Sequence, residues 1–103
     1  MTEKFIVKDG RPLTPYEREV LTILQEEAAE VIVAASKMLR FGVANTNPTT
    51  GITNDKELGW EVGDFIAMSM MATSAGLFHE YDIQSGIARK RERLKTFLQN
   101  PKM

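Results

Sequence analysis

The chain has no cysteine. That absence removes disulfide cross-links, thiolate nucleophiles and cysteine-bearing zinc sites together, so stability must come from packing. Histidine is almost as scarce, with His79 the single imidazole, and any metal must therefore be held mainly by oxygen. An excess of charge of either sign is also missing. Thirteen Lys and Arg stand against 14 Asp and Glu, for a formal net charge of -1, which is neither the basic balance of a nucleic-acid binder nor an acidic tail. No apolar run is long enough to cross a bilayer, and the opening MTEKFIVKDG carries no apolar targeting core. The expectation is a cytoplasmic protein with neither a membrane nor a nucleic acid as partner.

What is present is a chain of 103 residues, 43% of them hydrophobic. That suffices for one packed domain but leaves little room for a ligand cavity walled by one subunit, so a homodimer or homotetramer is expected. Residues 1–13, with Phe5, Ile6 and Val7 followed by Gly10 and Pro12, read as an N-terminal arm, and residues 14–103 as the domain proper. Thr14, Pro15 and Glu17 make a strong helix start: a capping hydroxyl, a residue with no amide to orphan, and an acid that completes a capping box. From there Val20, Leu21, Leu24, Ala28, Val31, Ile32, Ala35, Met38 and Leu39 recur at intervals of three and four, which predicts one long amphipathic helix ending near Phe41 and Gly42.

The stretch VANTNPTTGIT reads as a loop able to move or to close over a ligand. A second helix follows from about Asp55 to Ala75, with Asn54 and Glu57 as its capping pair and Gly76 as its terminator. Asp82 is the expected cap of a third helix, which carries Ile83, Ile87, Leu94 and Leu98 beside a basic run. Three such helices predict an all-α, antiparallel bundle, completed by oligomerisation.

Chemistry concentrates in two acidic pairs. Glu27 and Glu30 are three positions apart on the first helix, as are Glu61 and Asp64 on the second, and that interval sets both side chains of a pair on one side of a helix. Four carboxylates brought together repel unless a cation lies between them, and Mg2+ suits an all-oxygen site that also meets phosphates. Lys37 lies a turn beyond this face and can project its ammonium toward a phosphate. Met68 continues the second helix's acidic face with Met71 at its margin and Trp60 nearby, an adaptable wall where a base can lie. Trp60 reads equally as a packing residue. Glu26, Asn54 and Glu57 are candidates for support around the ligands. His79 reads as a solvated or capping side chain, and ordinary solvated helix faces account for single acidic pairs as well.

The segments QEEAAEVIVAA and EVGDFIAM resemble the MazG-like all-alpha nucleoside triphosphate pyrophosphohydrolases. That superfamily's signature is two Glu separated by two residues on one helix, then a Glu and an Asp separated by two on the next. Position by position it falls on Glu27, Glu30, Glu61 and Asp64. The resemblance covers Leu21 to Leu77, with 30 residues, Val31 to Trp60, between the pairs, an enlarged gap that falls in the loop. It implies Mg2+-dependent hydrolysis of a nucleoside triphosphate between the alpha and beta phosphates, with the four carboxylates as metal ligands or their neighbours. It further implies phosphate contacts from the third helix, for which Arg89, Lys90 and Arg93 are the candidates beside Lys37. Phosphoribosyl-ATP is the alternative substrate within the superfamily, and a noncatalytic helical interaction module the alternative outside it.

Overall fold

The computed structural model describes residues 10–100 and 102. Of the expected N-terminal arm, residues 1–9 lie outside the described residues. The first helix, α1 (Pro15–Phe41), begins as its sequence predicts: Thr14 Oγ1 accepts from the Glu17 amide and Glu17 Oε1 accepts from the Thr14 amide at 2.8 Å. Glu17 gains a partner that the capping pattern does not announce. Arg11 reaches it with both terminal guanidinium nitrogens, each at 2.7 Å. Those bonds, with the Thr14 amide, hold the carboxyl at about 2 although the side chain is buried. The other end of α1 is closed by Gly42, whose positive φ of 89° an L side chain rarely adopts and whose amide donates to Met38.

Residues 43–53 are folded back on themselves rather than free. Asn47 Oδ1 accepts from the amides of Thr49 and Thr50, Asn47 O accepts from Gly51, and an isolated bridge joins Thr46 to Thr53. The second helix, α2 (Asn54–Ser74), starts one residue earlier than expected. Thr53 takes the cap position without a side-chain cap bond. Asn54 is the first residue of the helix rather than its cap: it is buried, and its Nδ2 donates to Gly42 O at 2.8 Å, which ties the start of α2 to the end of α1. The third helix, α3 (Glu80–Phe97), is capped by His79, whose Nδ1 accepts from the Tyr81 amide at 3.0 Å. Asp82, the cap expected from sequence, lies in the first turn instead.

α1 and α2 pack antiparallel. Val20 near the start of α1 meets Met68 and Ala72 near the end of α2, while Lys37 near the end of α1 meets Glu57 near the start of α2. The chain is all-α: the described residues form three helices and no strand. None of these helices is long and apolar enough to cross a membrane.

The expected bundle of three helices is not closed within one chain. α3 has no buried residue and makes at most marginal contact with the other two helices. Leu77 and Phe78, in the connection between α2 and α3, pack against the Val20 cluster at that end of the hairpin. The radius of gyration is 17.4 Å, against about 13 Å for a compact chain of roughly 100 residues.

Among the described residues only Val20, Ala34, Met68 and Ala72 are buried apolar side chains. Rotation by about 100° per residue puts Ile32 and Leu39 of α1 on the same flank of the hairpin as Val62, Ile66 and Met70 of α2. All five are exposed, Leu39 by 88% and Ile32 by 69%. The carboxylates Glu30 and Asp64 fall on the opposite flank. α2 is thus apolar over most of its circumference, a distribution found in helices covered on more than one side.

Glu17 supplies a pH test of the α1 start. Its folded value of about 2 lies below the ordinary 4.5, so the ionised carboxylate stabilises the fold above that ordinary value and the contribution is lost as pH falls toward 2. Urea midpoints of the parent and Glu17→Gln are expected to differ most at neutral pH and to converge on acidification; a difference that is constant with pH contradicts the assignment.

Candidate metal centre

The antiparallel register carries the two acidic pairs to the middle of the α1–α2 contact. Glu27 of α1 and Glu61 and Asp64 of α2 each offer one carboxylate oxygen, and these oxygens lie within 4.8 Å of one another. Ala34, buried on α1 two turns beyond Glu27, lets the helices approach without filling the space beside the acids. Glu30 is exposed and stands outside this trio. Its charge nevertheless acts on it: the Glu61 carboxyl is pushed above the ordinary carboxylate range by burial first and then by the charges of Glu30, Asp64, Glu27 and Glu57.

The donor set fits a small hard cation. All three close ligand atoms are carboxylate oxygens, Asp64 is exposed, and the elevated Glu61 marks a place where positive charge is wanted. Mg2+ is commonly bound by one or two carboxylates together with waters and phosphate oxygens, and an open face beside Asp64 leaves room for the latter two.

Lys37 lies beyond the trio along α1 and pairs with Glu57 Oε1 at 3.1 Å. Glu57 Oε2 is buried without a hydrogen-bond partner among the described residues, so the pair retains an unused acceptor. Glu26 is exposed on α1, and Asn54 is occupied with Gly42 rather than with the acids. Of the expected base wall, Met68 is buried in the core with Val20 and Ala72, because the face it shares with Glu61 is the helix contact itself. Trp60 and Met71 are exposed. Arg89, Lys90 and Arg93 are carried on α3, which one chain does not pack against the hairpin; Arg93 instead lies over the Phe97 ring at 5.6 Å.

A feature absent from the sequence reading opens at the far end of the hairpin. Between the end of α1 and the 43–53 loop lies a cavity of about 260 Å3, bordered by Lys37 and lined by Arg40, Phe41, Asn45, Thr46 and Asn47. Arg40 stacks over the Phe41 ring at 5.0 Å from its centroid. The signal for it was the run KMLRFG, where an aromatic and two cations close a helix ahead of an Asn-rich turn. No family model, curated protein or solved structure matches the chain.

Because the ionised Glu61 is the disfavoured form in the folded chain, its repulsion opposes folding as pH rises through its elevated value. Glu61→Gln removes that charge and is expected to raise the melting temperature of the metal-free protein, while abolishing the further rise expected of the parent in Mg2+. A destabilised variant that still responds to Mg2+ contradicts this reading of the cluster.

Proposed function

We propose that the protein is a magnesium-dependent pyrophosphohydrolase of nucleoside triphosphates, cleaving between the alpha and beta phosphates to release a nucleoside monophosphate and pyrophosphate. The observation that carries this reading is the convergence of Glu27, Glu61 and Asp64 from two helices to within 4.8 Å, at positions where the sequence resembles the MazG-like signature.

Glu27, Glu61 and Asp64 would hold Mg2+, with Glu30 beside them. The ion supplies neutralisation of phosphate charge and a lowered pKa for bound water. The protein's own groups do the rest. Glu27 accepts a proton from the attacking water, whose oxygen bonds to the alpha phosphorus as the bond to the bridging oxygen breaks, and pyrophosphate leaves with that electron pair. Lys37 meets the phosphate tail by exchanging its Glu57 partner for a phosphate oxygen, an exchange between ion pairs of similar length.

A second copy of the chain completes the enzyme in this reading. The exposed flank of Ile32, Leu39, Val62, Ile66 and Met70 is the kind of contiguous apolar surface that subunit contacts cover, and an isologous pair would turn two hairpins into four packed helices. Arg89, Lys90 and Arg93 then act on the carboxylate site of the partner, since α3 of one chain does not return to its own.

With Mg2+ and a panel of ribonucleoside and deoxyribonucleoside triphosphates and phosphoribosyl-ATP, phosphorus NMR is expected to show monophosphate and pyrophosphate. Glu30→Gln and Asp64→Asn should each lower turnover at least about 100-fold with the helical spectrum unchanged. Release of orthophosphate, or full turnover in both variants, contradicts the assignment; cleavage of phosphoribosyl-ATP alone transfers it to that substrate. Sedimentation at a single-chain mass contradicts the shared site.

A further inference from the structure

We infer that the cavity at the loop end of the α1–α2 hairpin is the subsite that receives the nucleobase of the substrate; the inference rests on the reading of the carboxylates as a nucleotide-hydrolysing centre. Three observations carry it. The first is composition: the cavity is lined by Phe41, whose ring lies under the Arg40 guanidinium, and by residues 45–48 of the turn. An aromatic face paired with a guanidinium plane is a stacking platform for a flat heterocycle, and it accepts any base because every base has a π-face.

The second is the state of the polar groups. Asn47 Oδ1 is engaged by the amides of Thr49 and Thr50, which fixes the plane of the side-chain amide and leaves Nδ2 as a donor. Asn45 and Thr46 make no side-chain hydrogen bond among the described residues, and their backbones are pinned by the Asn54 amide and by the bridge to Thr53. The loop therefore presents unused donors and acceptors from a fixed backbone, an arrangement suited to reading the edge of a base whose face is stacked.

The third is position. Glu57 lies one helical turn before Glu61, about 6 Å along α2, and its partner Lys37 borders the cavity. A nucleotide whose ring lies on Phe41 would run its phosphates past Lys37 toward Glu61 and Asp64. The volume of about 260 Å3 lies below the roughly 300–1,000 Å3 of sites that enclose a whole drug-sized ligand. It matches a subsite for part of the nucleotide, with the phosphates outside it. Trp60 and Met71, on α2 beside the acids, are not needed to hold the base.

The test separates this subsite from the hydrolase reading. Amide spectra of the full-length protein are recorded during titration with the four ribonucleosides, without phosphate or metal, for the parent, Phe41→Ala and Asn45→Asp. Phe41 is exposed at the last position of α1, so its truncation spares the core. Shifts confined to residues 40–54 are expected, weakened at least about tenfold in Phe41→Ala, with the order of preference among bases changed in Asn45→Asp. In turnover with triphosphates, Phe41→Ala should raise KM by a larger factor than it lowers kcat. Shifts centred on Trp60 and Met71, or no shift at residues 40–54, overturn the subsite even if pyrophosphate is released. Shifts at residues 40–54 in a protein without turnover uphold the subsite as a nucleoside site and defeat the hydrolase reading alone.

Discussion

Like charges held together in the contact between two helices are the constraint around which this chain is arranged. Two unit charges within 4.8 Å of each other repel by at least about 0.9 kcal/mol at the dielectric of water and at least about 3.5 kcal/mol at an effective value of 20. Glu27, Glu61 and Asp64 form three such pairs when all are ionised, with Glu30 adding to the load on Glu61. A hairpin with nothing else in it would splay. At one end Val20, Met68 and Ala72 are buried against each other with Leu77 and Phe78 around them, and full burial of a Val or Met side chain contributes about 1.5–3 kcal/mol. At the other end the Lys37–Glu57 pair and the Asn54–Gly42 hydrogen bond close the contact. Apolar and polar clamps of comparable size to the repulsion thus keep the acids facing one another.

This layout gives the hairpin a polarity along its length. The apolar core lies at the start of α1, the carboxylates in the middle, the Lys37–Glu57 pair next, and the aromatic and amide-lined cavity at the loop. A ligand with a charged tail and a flat head fits that order in one direction only, with the tail at the acids through a cation and the head at Phe41. The two flanks differ as well. One carries Glu30 and Asp64, the other a run of exposed aliphatic side chains, so covering the apolar flank leaves the acidic one open to a substrate.

Local chemistry was legible in the sequence wherever neighbours on the chain decide it. The Thr14–Glu17 capping box, the stop at Gly42 and the three helices depend on residues within a few positions of each other, and the spacing of three that pairs Glu27 with Glu30 and Glu61 with Asp64 is a property of any helix. The tertiary choices were not legible. Asn54 has the composition of a cap, but it stands as the first residue of the helix and donates to a carbonyl twelve residues away. Met68 shares a face with Glu61, yet whether that face lines an opening or a contact depends on the facing helix, and Val20 buries it. The loop's Asn and Thr residues read as a segment able to move or to close over a ligand, but the particular turn that Asn47 builds with its own side chain was not legible. Arg11 sits outside the capping pattern, so nothing local announced its hold on Glu17. The amphipathic stripe of α3 predicted a packed third helix, but no residue of α3 is buried within one chain, and Leu77 and Phe78 of the connection pack on the Val20 cluster.

The claim on which the functional reading stands is that the middle of the hairpin is a divalent-cation site. Paramagnetic broadening by substoichiometric Mn2+, read amide by amide and displaced by Mg2+, measures it without assuming a substrate or a reaction. A site built by Glu27, Glu61 and Asp64 broadens amides around residues 27–30 of α1 and 61–64 of α2 first, and recovers in excess Mg2+. Broadening spread over exposed carboxylates along all three helices would contradict it.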